Sequence, residues 1–476
     1  MSLLGTGLPK IIQGGMGVGV SNWRLARAVS KTGQLGVVSG TALDQVLARR
    51  LQDGDPDGDI RRALDAFPVP AMADRIWNEL YIPDGKSLTA SYKTLPMPTR
   101  DASRETLELY IVSNFVEVWL AREGHSNPVG INYLEKLQIP HLASIYGAML
   151  AGVEYVLMGA GIPSRIPGVL DHFVNHEAAD YPLQVSGATE ADDTLLTFDP
   201  LDFVPAGLPP LKRPRFLAII ASNVLAVSLL RRSNGKVDGF IVEGAVAGGH
   251  NAPPRGQLQL SEAGEPVYTE RDVVDLAKLR TLGVPFWLAG GYGSPGKLQE
   301  ALDAGAAGIQ VGTAFAFCEE SGLRPDFRQQ VLGQVRSGDA KIFTDPFASP
   351  TGFPFKVASL PGTASDTSVY SSRPRVCDLG YLREAYKTES GEIGYRCPGE
   401  PVSVYEAKGG KAENASGRKC LCNGLMANIG LQQVRAGKHV EPGLLTAGDD
   451  LVALETFLPT HGVDYTAADV IHRLTR

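Results

Sequence analysis

The stretch Val237–Gly256, VDGFIVEGAVAGGHNAPPRG, decides the fold. Val237 to Val242 is short and apolar with Asp and Gly at its centre, the pattern of a buried strand in a parallel sheet. The strand breaks into Gly244, Gly248 and Gly249, which let backbone approach a ligand closely, and the run ends on His250. Histidine has the side-chain pKa nearest neutrality, so a His held at a strand's carboxyl end can serve as a general base at pH 7. A His that only caps a turn has the same local sequence, so the motif alone leaves both readings open. Two further Gly-rich strand ends, Trp287–Gly293 (WLAGGYG) and Ile309–Thr313 (IQVGT), point to one ligand site built from successive strands.

Outward from this stretch the same unit recurs: an apolar strand, a Gly-rich turn, then a helix. Lys10–Met16 (KIIQGGM), Leu35–Ser39, Val129–Leu134, Glu154–Met158, Arg215–Ser222, Pro285–Ala289 and Gly308–Gly312 supply seven more strands. Helices are expected after them, the first capped by Ser21 or Asn22 and running to Lys31, a later one capped by Asn223 and running to Arg232. Residues 55–127 read as a polar, Pro-bearing insertion with a helical patch at Arg104–Arg122, and Tyr181–Pro210 as an excursion with β-like patches. Eight such pairs in the first 340 residues fit an α/β chain folded as a (β/α)₈ TIM barrel with its active site at the strands' carboxyl ends. A doubly wound sheet is the competing arrangement, but Gly15-Met16-Gly17-Val18-Gly19 is only a degenerate form of its fingerprint. The expected domains are a barrel over residues 1–340 and an irregular α+β C-terminal extension over 341–476 that packs on the barrel or its mouth. Turns crowd that extension, and Leu421–Leu431 and Asp450–Phe457 read as its short helices.

Composition narrows the function classes. A net charge of −7 gives no electrostatic case for binding nucleic acid. No apolar run has the length of a membrane span, and MSLLGTGLPK lacks the basic and apolar regions of a secretory leader, so a cytoplasmic protein is expected. The cysteines Cys318, Cys377, Cys397, Cys420 and Cys422 are odd in number and all late, which argues against a disulfide framework. No cysteine precedes Phe317, so none can act as a nucleophile from the first eight strand ends. Cys377, Cys397, Cys420 and Cys422 match the number of ligands in a tetrahedral zinc site, but their spacing is irregular. Reduced buried thiols, or a thiol activated by Arg418 and Lys419, fit as well, and no metal is assigned.

The glycine turns carry chemistry of their own. Ala289–Ser294 (AGGYGS) precedes a helix expected to open at Ser294, and free amides in such a turn cradle a phosphate. Gly312 and Thr313 add amides and a hydroxyl at the next strand end, where barrel phosphate sites tend to form. Gln13–Met16 is expected to face the same mouth from the first strand, and Asn132 can hydrogen-bond a flat heterocycle. Lys408-Gly-Gly-Lys411 reads as a solvated turn.

IIQGGMG, GAVAGGH and VPFWLAGGYGSPGKLQEALDAGAAGIQVGTAF together resemble the nitronate monooxygenase (2-nitropropane dioxygenase-like) family of FMN-dependent TIM-barrel oxidoreductases, whose relatives include flavin enoyl reductases. The resemblance covers about Pro9–Val357. It implies FMN bound without a covalent link, its phosphate on Gly290, Gly291, Tyr292, Gly312 and Thr313. Gly15, Met16 and Gly17 would line the isoalloxazine, Asn132 would contact it, and Gly248 and Gly249 would complete the cofactor site. His250 matches the family's base, which removes the proton alpha to a nitro group before oxidation through the flavin with O₂. The family's G-x-E-A-G-G-H-x-G is here GAVAGGHNAPPRG, with Val246 in place of the Glu and the later Gly displaced to Gly256. The expected partners are therefore a small-molecule substrate and O₂, with no nucleic acid and no membrane, and a homodimer is possible. The expected activity is nitronate monooxygenase. Its alternatives are an NAD(P)H-dependent quinone or enoyl-thioester reductase, or a non-catalytic flavin-binding component of a synthase complex.

Overall fold

The computed structural model describes residues 7–476. Met1–Thr6, the start of the segment read for a leader, lie outside the described residues. Eight parallel strands form the central sheet: β1 (Ile11–Gln13), β2 (Gly36–Ser39), β3 (Val129–Leu134), β4 (Tyr155–Gly159), β5 (Arg215–Ile220), β6 (Gly239–Glu243), β7 (Phe286–Ala289) and β8 (Gly308–Val311). Each strand pairs with its sequence neighbour, and β8 returns to β1 with Ile12 opposite Gln310. The last gap closes where Gln13 donates its N–H to the Leu35 carbonyl and Leu35 donates to the Ile11 carbonyl, at 2.9 and 3.1 Å. The sheet is thus a closed (β/α)₈ barrel, and the doubly wound alternative is excluded because an open sheet has two free edges.

Inward-facing side chains fill the barrel. Ile12, Val37, Leu157, Leu217, Ile241 and Trp287 make one buried cluster, and Trp287 anchors it by donating its indole N–H to the Pro9 carbonyl at 2.8 Å. The larger core lies between the strands and the surrounding helices. Close backbone approach leaves no room for side chains at two glycines: a Cβ at Gly36 would lie 1.9 Å from the carbonyl oxygen of Ala26 in the helix after β1, and one at Gly308 would lie 2.0 Å from that of Lys10, just before β1.

Local signals place most helices. Asn22 caps α1 (Trp23–Lys31) by accepting the Leu25 N–H, while Ser21 holds the preceding loop by accepting the Met16 N–H. The helix at Asn223–Arg232 is capped by Ser222, one residue before the expected Asn223. Between β2 and β3 the chain makes α2 (Leu43–Gln52), α3 (Asp59–Asp65), α4 (Pro70–Leu80) and α5 (Arg104–Arg122). α5 has most of its length buried, and Glu117 in its middle accepts the Trp23 N–H at 2.8 Å and pairs with Arg50. This helix is a member of the barrel's outer layer, so the inserted material is the shorter run between α2 and α5. The excursion after β4 is a small antiparallel pair, Ala179–Pro182 with Leu195–Phe198.

After the helix Pro325–Ser337 the chain turns back over the carboxyl ends of the strands. A hairpin of β9 (Ile342–Asp345) and β10 (Phe355–Ala358) lies against the loop that follows β6. The chain then forms the helix Leu421–Asn428, a 3₁₀ segment at Asp449–Phe457 and a final helix, Ala467–Leu474, that packs against α1.

Two alanine substitutions test the packing in opposite directions. Gly308→Ala should lower the unfolding free energy by about 1–3 kcal/mol through overpacking against Lys10. Gly333→Ala, in an exposed helical position with nothing within 4 Å, should raise it by about 0.5–1 kcal/mol. Urea unfolding of both variants checks the pair.

Candidate active site

The strands' carboxyl ends open into a cavity of about 590 Å³, within the range of small-molecule and cofactor sites. Gly15, Met16, Gly17, Asn132, Gly248, Gly249, His250, Gly290, Gly291, Tyr292, Gly312 and Thr313 all line it. Residues separated by 298 positions in the chain thus converge on one space. Gln13 does not reach it: the side chain is fully buried, accepts the Val37 N–H at 3.0 Å and bonds Ser21 Oγ at 2.8 Å, tying β1 to β2. The expectation that Gln13 faces the mouth is corrected by that internal pairing.

At one end lie the turns after β7 and β8. Gly290 and Gly291 both have φ of +81°, a left-handed backbone that glycine adopts without steric cost. The N–H groups of Gly291, Tyr292, Gly293 and Gly312 donate to no described residue. Such a set of free amides suits an anion. The helix here opens at Lys297 behind Gly296, later than the expected Ser294, so the turn amides and not a helix terminus form the cradle. Asp450 also faces this end: a Cβ on Gly293 would lie 3.5 Å from Asp450 Oδ2. Burial raises the Asp450 carboxyl pKa, which moves it toward the neutral form that an anion tolerates.

Along the cavity floor two polar groups have no internal partner. The Asn132 amide makes no hydrogen bond to a described residue, and Gln310 Oε1 is buried without a donor. Together with the amide cradle they fit an elongated, polar, phosphorylated ring compound such as FMN. Gly248, which lines the cavity, also admits the extension: the space of its missing Cβ is taken by the Ala447–Gly448 backbone, 2.8 Å away.

His250 and Glu243 supply the titratable chemistry. His250 follows β6 with its ring edge-on to Phe355 and Phe353, and its Nε2 lies 2.6 Å from Ser349 Oγ. Burial lowers its pKa to about 4, so at pH 7 the imidazole is neutral and a weaker base than a free histidine. Glu243, the last residue of β6, faces the same cavity with no hydrogen-bond partner, and burial raises its pKa to about 7. Both side chains keep some surface open to the cavity, but protein surrounds them on every side, and that enclosure is what shifts them.

Sequence reasoning missed Glu243, although a charged residue closing an apolar strand was a visible signal. It also missed Gln310, the one polar side chain inside IQVGT. Phe353, Phe355, Tyr381, Leu425 and Asp450, which line the cavity, and Ser349, which touches His250, come from the C-terminal extension, where no local pattern announced a site.

The fold and cavity define a (β/α)₈ barrel with its ligand site at the strands' carboxyl ends. Residues 214–348, from the start of β5 to past β8, match the nitronate monooxygenase family. A nitronate monooxygenase of Pseudomonas aeruginosa is 29% identical over 168 residues, 33% of this chain and 45% of that protein. A probable nitronate monooxygenase of Bacillus subtilis is 32% identical over 123 residues, 26% of this chain and 33% of that one. These matches make the second half of the barrel similar to the nitronate monooxygenase family. The chain spans less than half the length of both relatives. Among solved structures it is similar in outline to FabK from Thermotoga maritima, at 14% identity and a TM-score of 0.49 over 98% of this chain and 91% of that one. It is also similar to nitroalkane oxidase from Streptomyces ansochromogenes, at 16% identity and a TM-score of 0.48 over 98% and 94%. At these levels the two resemblances concern shape alone.

The Glu243 environment predicts a pH-dependent stability difference. A carboxyl whose folded pKa is raised binds its proton more tightly in the native state, so its contribution falls as pH rises from about 4.5 to about 7. Glu243→Gln should therefore melt higher than the parent at pH 8, and the gain should vanish near pH 4.5. Thermal melts across that range check it.

Proposed function

We propose that this chain is an FMN-dependent oxidoreductase of the nitronate monooxygenase type, oxidising alkyl nitronates with O₂. The observation that carries this reading is the convergence of the Gly290–Gly293 and Gly312–Thr313 amides, Asn132 and His250 on one cavity. When bound, FMN supplies the redox chemistry of the site. The amides would hold its phosphate, Gln310 and Asn132 would meet its polar groups, and the Gly15–Gly17 turn would border its ring.

The protein's own residues would handle the proton. His250, unprotonated at pH 7 and held by Ser349, is placed to accept a proton from the carbon alpha to a nitro group. Glu243, whose pKa burial raises to about 7, would be the second proton-holding group facing the cavity. The aromatic rings of Phe353 and Phe355 would keep water from the developing carbanion.

A second reading is favoured by one feature. Leu134, Leu137, Leu379, Tyr381, Leu425 and Met426 give the cavity an apolar arm built jointly by barrel and extension. A small nitronate has no use for such a wall, whereas a reductase acting on an apolar-chain substrate with NADH or NADPH would bury the chain there.

Anaerobic mixing of the flavin-loaded protein with propionate 3-nitronate, NADH or NADPH separates the readings. Loss of flavin absorbance with the nitronate alone supports the monooxygenase. Loss with a nicotinamide alone supports the reductase, and no change with any of them sinks both in favour of a non-catalytic flavin protein. His250→Ala should keep FMN and lower turnover of a neutral nitroalkane about 10²–10⁴-fold, while sparing the preformed nitronate, whose proton is already gone. Equal losses on both substrates would contradict the proton-abstraction role.

A further inference from the structure

Beside the main cavity the extension gathers four of the five cysteines. Cys377, Cys397, Cys420 and Cys422 line one small second cavity. They arrive from separate segments: the loop before the strand Glu384–Lys387, the turn after the strand Ile393–Arg396, and the start of the helix Leu421–Asn428. No disulfide joins them. The chemistry proposed for the main cavity uses none of them.

One of the four sulfurs has a hydrogen-bond donor beside it. The Asn423 amide lies 3.6 Å from Cys420 Sγ. Positive charge is present as well: Arg373 is 5% exposed, lines this cavity, and has a terminal nitrogen, Nη1, with no acceptor. Arg375 and Arg383 share the wall. Four cysteines that converge on one cavity without pairing as disulfides make an all-sulfur ligand set, the kind that zinc or iron–sulfur centres take.

The arrangement selects the kind of metal centre. Among the described residues no three His, Cys, Asp or Glu side chains are set to hold a single ion, which speaks against mononuclear zinc with its short Zn–S bonds. An iron–sulfur cluster has bridging sulfides that keep four thiolates apart around a shared volume, and N–H···S bonds tune its potential. We propose that Cys377, Cys397, Cys420 and Cys422 ligate a four-iron, four-sulfide cluster. Leu379, Leu382 and Cys422 line both cavities, so the cluster would stand against the wall of the main site. The cluster rests on the convergence of the four cysteines and holds whatever substrate the main cavity takes.

The test is to purify the full chain without oxygen from iron- and sulfide-replete cells, then measure iron, acid-labile sulfide, zinc and the electron paramagnetic resonance of the reduced protein. About four iron and four sulfide per chain are expected, with a cluster signal on reduction. Cys397→Ser and Cys420→Ser should lose most of the iron. Cys318→Ser should keep it, since that thiol is buried elsewhere and donates to the Phe315 carbonyl. Should the serine variants fail to fold, the parent protein decides alone. Absence of iron and sulfide after anaerobic reconstitution with ferrous iron and sulfide overturns the proposal, as does one zinc per chain in their place.

Discussion

The site depends on the pairing of the C-terminal extension with the loop after β6. Val246–Asn251 has no regular structure and, within the barrel, few partners to hold it. The extension holds it by backbone. Lys356 donates its N–H to the Gly249 carbonyl at 2.9 Å, Asn251 donates to Pro354 at 3.0 Å, and Asp449 donates to Val246 at 3.0 Å. Thr446 Oγ1 accepts the Gly249 N–H at 2.8 Å, and Thr313 Oγ1 accepts that of Gly448 at 2.9 Å. The Lys356 ammonium, buried to 1% exposure, locks the two arms of the extension by bonding Asp449 and Thr344. Because the same loop presents His250, the position of the candidate base is set by residues about a hundred to two hundred positions later in the chain.

That pairing also sets the electrostatics. Closing the extension over the strand ends removes water from Glu243 and His250, and desolvation disfavours the charged form of each. The carboxyl rises and the imidazole falls until their usual order of basicity is reversed. Environments that push two titratable groups apart in this way often mark acid–base assignments. Asp450 extends the pattern to the amide cradle, where burial biases its carboxyl toward the neutral form.

The barrel was legible in the sequence because its signals are local. Buried parallel strands read as short apolar runs, and their turns as glycine clusters, so all eight strands fall where the pattern places them. The candidate residues on strand ends follow from the same logic, since barrel topology brings strand ends together. The helix Arg104–Arg122 was harder to place because its buried face carries Glu108, Asn114 and Glu117, which pair with Arg75, Tyr133 and Trp23 from other segments. Polarity there signals internal pairing and not an insertion. The extension's contribution was illegible for the opposite reason: Phe355, Tyr381 and Asp450 gain their meaning only by long-range contact. The four cysteines were visible as a set, but their convergence needed the fold.

The cavity closed by the extension is the proposed flavin site. The most direct measurement is the flavin released when the purified full chain is denatured, with equilibrium titration of FMN into the stripped protein. About one FMN per chain, with quenched flavin fluorescence on rebinding, is the predicted result. A folded chain that carries no flavin and leaves the fluorescence of added FMN unchanged would contradict it.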